Sequence, residues 1–307
     1  THGAIEAEQR LLRELEAQIP DEAVITCVRP WRALAGWQPT LRRPERAVGM
    51  HFPAPVGRTP LVEVLATPAT GDQAVRCVRG FVAMLGKVSV VVQETTGGLV
   101  LRVLCAGCDE AFRLLFEGQP PERLEQSMQL FGMVYGPLQF MDLLGLDEFV
   151  LTVNRLASAS DSTLADDTVV QHMLLQHWLG VKTGIGFFRW TGNAHKPNRA
   201  LANWLLRSFA PKVAPMSAAE QKKSVQERLV GRMVNEAFRC REEGVAQSPD
   251  DIDLALMLCG WAPHRGGPCR HAEQTGYAAF VGMLERLAQQ NGERFRPCAG
   301  LRRLTNS

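Results

Sequence analysis

The sequence predicts a mixed, mainly α protein in which a short α/β part precedes two homologous all-helical units. Three observations carry that prediction. Residues 1–94 alternate between helical and strand patterns, residues from Gly97 onward read as helix after helix, and the helical stretch repeats itself. At 307 residues the chain has room for two or three cores, and 46% hydrophobic with 21% charged residues is the composition of a globular chain.

Glu6–Ala17 has Leu11, Leu12 and Leu15 at helical spacing and reads as an amphipathic helix. Ala23–Val28 is a short apolar run that Pro30 breaks, and Val48–Phe52 and Leu61–Ala66 are two further strands. Asp72–Leu85 places Val75, Val78, Phe81, Val82 and Leu85 on one helical face, and Gly86 follows where a helix-ending glycine belongs. Ser89–Val92 is then a β-branched strand. Strands separated by helices imply a mainly parallel sheet with helices on its faces.

In the helical part, Glu125-Gln-Ser-Met-Gln-Leu-Phe-Gly132 echoes Asp253-Leu-Ala-Leu-Met-Leu-Cys-Gly260. Gly136-Pro137 with Asp142 and Gly145 then matches Gly267-Pro268 with Glu273 and Gly276. Each copy has a helix, a Gly/Pro turn and a further helix. Between them Trp190–Met216 holds Pro197, Pro211 and Pro215 and reads as a linker containing a short helix, Leu201–Ser208. Ser217-Ala-Ala-Glu220 is a capping-box start for a helix whose core stripe is Val225, Leu229, Met233, Val234, Ala237 and Phe238. Ser248-Pro249 starts another with proline at its first position. The expected divisions are 1–94, 95–190, a linker over 191–216, and 217–307.

A net charge of +2, from 34 basic and 32 acidic residues, points to no nucleic-acid partner, and no apolar run is long enough to span a bilayer. The N-terminal stretch THGAIEAEQRLLRELEAQIP has none of the features of a signal peptide, and it lacks an initiator methionine, which suggests a processed or truncated chain. The eight cysteines are scattered and read as reduced thiols. That places the protein in the cytoplasm, or in the mitochondrial or peroxisomal matrix of a eukaryote. Cys105-Ala-Gly-Cys108 lies within an apolar helical run and lacks the second pair of a zinc site, and His264 and His271 near Cys259 and Cys269 fit no ligand set, so no metal is expected. Arg265–Arg270 reads as a repeat turn, and the basic residues Lys222, Lys223, Arg228 and Arg232 as the solvated face of a helix.

Several segments together resemble the 3-hydroxyacyl-CoA dehydrogenases, in particular the dehydrogenase part of the multifunctional fatty-acid oxidation enzymes. GMHFPAPVGRTPLVEV (49–64) is similar to that family's G-M-H-F-F-N-P-V followed by an L-V-E-V strand. TPATGDQAVRCVRGFVAMLGKVSVVV, GVKTGIGFFRW and VNEAFRCREEGVAQSPDDIDLALMLCGWAPHRGGPCRHAEQTG resemble the segments that follow. The resemblance implies a Rossmann-like domain, here its C-terminal part, followed by two dehydrogenase C-terminal domains. It implies oxidation of a 3-hydroxyacyl-CoA by NAD, with His51 as the base and Glu63 as the group that orients it.

Four departures accompany it. The family's asparagine after the histidine falls at Ala54, its second asparagine at Leu101 and its serine at Cys27; Cys27 and Leu101 are thus substrate-binding positions that carry other residues. No G-x-G-x-x-G occurs anywhere in the chain, Thr183-Gly-Ile-Gly186 being the nearest glycine cluster, so no cofactor-binding residue is assigned. Two accounts remain open: a fragment of a longer dehydrogenase, or a degenerate, inactive paralogue kept for acyl-CoA binding or for assembly. In either case a sheet open at one edge invites a covering protein chain.

Overall fold

The structure, a computed structural model, describes residues 2–28, 34–159, 168–209 and 217–306. Pro30, Pro211 and Pro215 lie outside them. The α/β part runs α1 (His2–Glu16), β1 (Ile25–Cys27), α2 (Leu34–Trp37), β2 (Ala47–His51), β3 (Leu61–Ala66), α3 (Asp72–Met84) and β4 (Val88–Gln93). Its four strands lie in the order β1-β2-β3-β4. β1 pairs parallel with β2, and β3 parallel with β4. β2 and β3 are antiparallel, because residues 52–60 turn the chain back without a crossover helix. The mainly parallel expectation therefore holds at the two pairings that have connecting segments long enough for it.

The two faces of this sheet differ. Ala74, Val78 and Val82 of α3 pack on Val48, Met50, Val62 and Val64 of one face. Phe81 and Leu85, which share helical spacing with Val78 and Val82, instead remain about half exposed. On the opposite face Leu61, Leu65, Val90 and Val92 merge with Leu99 and Val100 into the large helical core. Leu12 of α1 packs against a small cluster of Ile25, Leu34, Trp37, Leu41 and Ala47, while Leu11 and Leu15 face solvent.

The first helical stretch comprises α4 (Val100–Phe116), α5 (Pro121–Phe131), α6 (Pro137–Leu144), α7 (Leu146–Ala159) and α8 (Thr168–Leu175). A hairpin of β5 (Phe188–Thr191) and β6 (Ala194–Pro197) follows, then α9 (Arg199–Ser208). The second stretch comprises α10 (Ala218–Glu242), α11 (Pro249–Leu258), α12 (Pro268–Thr275), α13 (Tyr277–Asn291) and α14 (Ala299–Arg303). Ser217 and Glu220 form the expected capping box of α10, and Ser248 caps α11 with Pro249 at its first position.

The repeat seen in sequence has a physical basis. Glu125 on α5 accepts hydrogen bonds from Gly136 N (2.9 Å), Leu138 N (2.7 Å) and Gln139 N (3.3 Å), at the start of α6. Asp253 on α11 accepts from Cys269 N (2.7 Å) and Arg270 N (3.0 Å), at the start of α12. In both copies one buried carboxylate satisfies the orphan amides of the next helix. Asp142 adds a further tie in the first copy: it accepts from Phe187 N, Phe188 N and Trp190 Nε1, which fastens the GVKTGIGFFRW segment.

One expectation is corrected. Lys222 and Lys223 are exposed, but Arg228 and Arg232 are buried and face α4. Arg228 donates to both Glu110 and Glu117, and Arg294 joins it on Glu110 at 2.6 Å. Arg232 lies 3.7 Å from Asp109. Helical periodicity marks a charged stripe but does not reveal that a second helix offers acids to it. In such a network the loss of one partner typically costs about 3–5 kcal/mol, because the remaining charge is left buried and unpaired.

Candidate active site

His51 ends β2 and Glu63 lies within β3, and the antiparallel register sets them directly opposite each other. Directly opposite residues project from the same face, so the two side chains meet. His51 Nδ1 lies 2.5 Å from Glu63 Oε2, and the residues are 6% and 0% exposed. The other carboxylate oxygen, Oε1, accepts from Leu99 N at 2.9 Å and from Val100 N at 3.0 Å. Those amides belong to the first turn of α4, where backbone donors lack helical partners and the helix dipole favours negative charge.

The approach of Glu63 to that helix depends on Gly98. Its φ is +60°, and a Cβ there would lie 3.1 Å from Glu63 Oε2 and 3.2 Å from Oε1. A side chain would meet both backbone strain and the carboxylate. With Glu63 ionised, its oxygens only accept, so the proton shared with His51 sits on Nδ1 and the lone pair is on Nε2. Nε2 makes no hydrogen bond among the described residues. Such an arrangement is chemically able to serve as an oriented base through Nε2.

The other two expected site residues fall on either side of this pair. Cys27 ends β1 opposite Gly49, which puts it on the His51 face of the sheet, half-buried. Leu101 follows Val100 in the first turn of α4 and is 1% exposed within the apolar core. Ala54 lies in the loop between β2 and β3, partly buried. The capping of Glu63 by α4 was not foreseen from sequence; the signal for it was Gly97-Gly98 placed immediately before an apolar helical run. The second helical stretch also reaches the site. Helix α11 packs on β3 and β4, and burial followed by the Glu63 charge pushes the Cys259 thiol at its end well above the ordinary thiol range.

A dinucleotide would need free amides at a helix N-terminus for its pyrophosphate. Here the amides of Leu34 and Ala35 at the start of α2 are bonded to Glu94, the latter at 2.9 Å. Gly71 N, before α3, is bonded to Glu45 O at 2.8 Å, and the leading amides of α4 are bonded to Glu63. The starts of α2 and α4 therefore do not fit a pyrophosphate. Among the described residues no group of three or more His, Cys, Asp or Glu is arranged to hold a metal ion.

The family model described as 3-hydroxyacyl-CoA dehydrogenase, NAD binding domain, matches residues 3–95. The model for the C-terminal domain of the same family matches residues 97–190 and 225–307. The fatty acid oxidation complex subunit alpha of Shewanella baltica is 33% identical over 261 residues, covering 85% of this chain and 36% of that protein. The same subunit of Shewanella putrefaciens is also 33% identical with the same coverage. The chain thus spans about a third of the length of the curated relatives it matches. Among solved structures, 3-hydroxybutyryl-CoA dehydrogenase from Escherichia coli aligns with a TM-score of 0.78 at 24% identity, over 98% of this chain and 79% of that one. The dehydrogenase part of multifunctional enzyme 1 from C. elegans aligns with a TM-score of 0.69 at 22% identity, over 98% and 69%. At those identities the likeness is one of fold.

Proposed function

Since the chain belongs to the 3-hydroxyacyl-CoA dehydrogenase family, we propose that its site is built for the proton-transfer half of the family's reaction, oxidation of a 3-hydroxyacyl-CoA to a 3-ketoacyl-CoA in fatty-acid β-oxidation. His51 is the base that takes the C3 hydroxyl proton through Nε2, and Glu63 is its orienter. The observation that carries this reading is the 2.5 Å His51–Glu63 contact with the far carboxylate oxygen held by two amides of α4. When Nε2 gains a proton the imidazole becomes cationic, and the fixed carboxylate on Nδ1 stabilises that charge.

The hydride acceptor of the family is NAD. Because the leading amides of α2 and α4 are already bonded to Glu94 and Glu63, no cofactor step is assigned to these residues. The side chains of Ala54 and Leu101 donate no hydrogen bond and the Cys27 thiol is a weak donor, at positions where the family resemblance implies polar groups. Loss of one such donor typically lowers the rate by roughly 10²–10³. Our reading is that this chain by itself binds acyl-CoA at the His51 face but does not complete the oxidation. A companion chain covering the open side of β1 fits the same reading, with the chain divided near residues 94, 190 and 216 and located in the cytoplasm or an organelle matrix. No helix among the described residues is long and apolar enough to cross a membrane.

A second reading, a non-catalytic acyl-CoA-binding or assembly subunit, is favoured by the burial of Leu101 among apolar side chains. NADH-dependent reduction of acetoacetyl-CoA by the full chain tests the proposal. We expect a rate no higher than that of His51→Ala, and a measurable excess over that control would overturn the expected inactivity. A calorimetric titration with acetoacetyl-CoA is expected to saturate. Absence of binding would overturn the acyl-CoA site in both readings and leave only an assembly part.

A further inference from the structure

We infer that Arg102 is a positioning residue for the His51–Glu63 pair, through which the second helical stretch holds the turn that caps Glu63. The inference rests on the reading of His51 and Glu63 as the working pair.

Arg102 lies in the first turn of α4, two residues after the Val100 amide that binds Glu63. Its guanidinium crosses to α10. Nε and Nη2 donate to Glu236 Oε1 at 3.0 and 2.6 Å, and Nη1 donates to Glu243 Oε2 at 2.6 Å. The Arg102 side chain is 12% exposed and that of Glu236 16%, so solvent screens this contact little. Two carboxylates on one planar guanidinium fix its orientation in a way that a single exposed ion pair does not.

The stem of the same side chain supports the turn itself. Gly97 (φ +78°) and Gly98 (φ +60°) form the bend ahead of α4. A Cβ on Gly97 would lie 3.7 Å from Arg102 Cγ and 3.1 Å from Leu156 Cδ2, and one on Gly98 would lie 3.1 Å from Glu63 Oε2. The bend is thus lodged between the Arg102 stem, Leu156 and the Glu63 carboxylate. The second stretch also holds the neighbouring strand from its own side, since Gln93 N donates to Val245 O at 2.8 Å and Val92 bridges Ala246. The chain of contacts runs from Glu236 and Glu243 through Arg102 to the amides of Leu99 and Val100, then to Glu63 and His51. Nothing in it touches Nε2, so Arg102 acts on the base only through the position of Glu63.

The test is proton NMR of the full chain, which reads the pair without any turnover. A buried imidazole N–H bonded to a carboxylate gives a resonance far downfield of the amides, assigned here by its loss in His51→Gln. We expect that resonance in the wild type, its loss in Glu63→Gln and in Arg102→Met, and at most a weakened one in Arg102→Lys, whose ammonium lacks the planar fork. Arg270→Ala, which removes the exposed ion pair with Glu273, should leave it unchanged. Retention at the wild-type position in Arg102→Met overturns the inference while leaving the pair intact. Absence of any Glu63-dependent resonance in the wild type overturns the reading of the pair itself, and the inference with it. Should Arg102→Met fail to fold, the double variant Glu236→Gln, Glu243→Gln decides. It keeps the arginine stem and removes its charged partners, and an unchanged resonance there would again overturn the inference.

Discussion

His51 and Glu63 share one short contact, but the two residues are held in different ways. His51 is placed by a strand end and offers Nε2 to whatever lies above the sheet. Glu63 is fully buried, with one oxygen on the histidine and the other on the amides of a helix packed across the sheet. A carboxylate so enclosed needs those donors, since an unpaired buried charge is costly. Gly98 is what lets the helix come close enough. Gly98→Ala should destabilise the protein by about 1–2 kcal/mol from its left-handed backbone alone, as measured by urea unfolding. An unchanged midpoint would mean that the bend relaxes freely and does not hold Glu63. The pair was legible in the sequence through the resemblance of GMHFPAPVGRTPLVEV, which carries both residues, to the family segment. The amides that hold Glu63 were not, since backbone donors leave no residue signature beyond the paired glycines.

At the scale of elements the recurring device is a buried acid at the start of a helix: Glu63 for α4, Glu125 for α6 and Asp253 for α12. Burial pushes the Glu125 carboxyl up to about 7, against the lowering effect of the Leu138, Gln139 and Gly136 amides, and the Asp142 charge adds to the rise. The folded protein therefore keeps a proton on Glu125 that the unfolded chain gives up above about 4.5. Its contribution is complete below that value and fades as pH rises through about 7, a change of roughly 3 kcal/mol by linkage. Urea unfolding at pH 5 and pH 8 should show the wild type losing stability with rising pH and Glu125→Gln losing less. Equal slopes in the two proteins would contradict this.

Sequence spacing located most of these helices, including both capping starts at Ser217 and Ser248, because caps and apolar periodicity are local signals. It missed the β5–β6 hairpin, whose Thr191-Gly192-Asn193 tip and neighbouring proline read as linker. It also misjudged Arg228 and Arg232, whose partners Glu110, Glu117 and Asp109 lie more than a hundred residues away in the chain. Long-range charge pairing of that kind has no local trace.

Over the whole molecule, a small sheet presents its His51 face to a much larger helical body, and both helical stretches reach it. The first supplies the α4 amides that hold Glu63. The second packs α11 on β3 and β4, pairs residues 245–246 with the end of β4 and clamps Arg102. The division into an α/β part and repeated helices was readable because periodicity changes near Gly97 and the carboxylate and Gly/Pro positions recur. How closely the second stretch approaches the site was not, since nothing local marks which faces of two units will meet. On the proposed reading this assembly holds an oriented His51–Glu63 pair while the leading amides of α2 and α4 are already bonded to Glu94 and Glu63. Titration of the full chain with NADH, followed by cofactor fluorescence, tests this most directly. The account predicts no saturable binding up to roughly 1 mM, the upper end of ordinary enzyme constants. Saturable binding at micromolar NADH would contradict it.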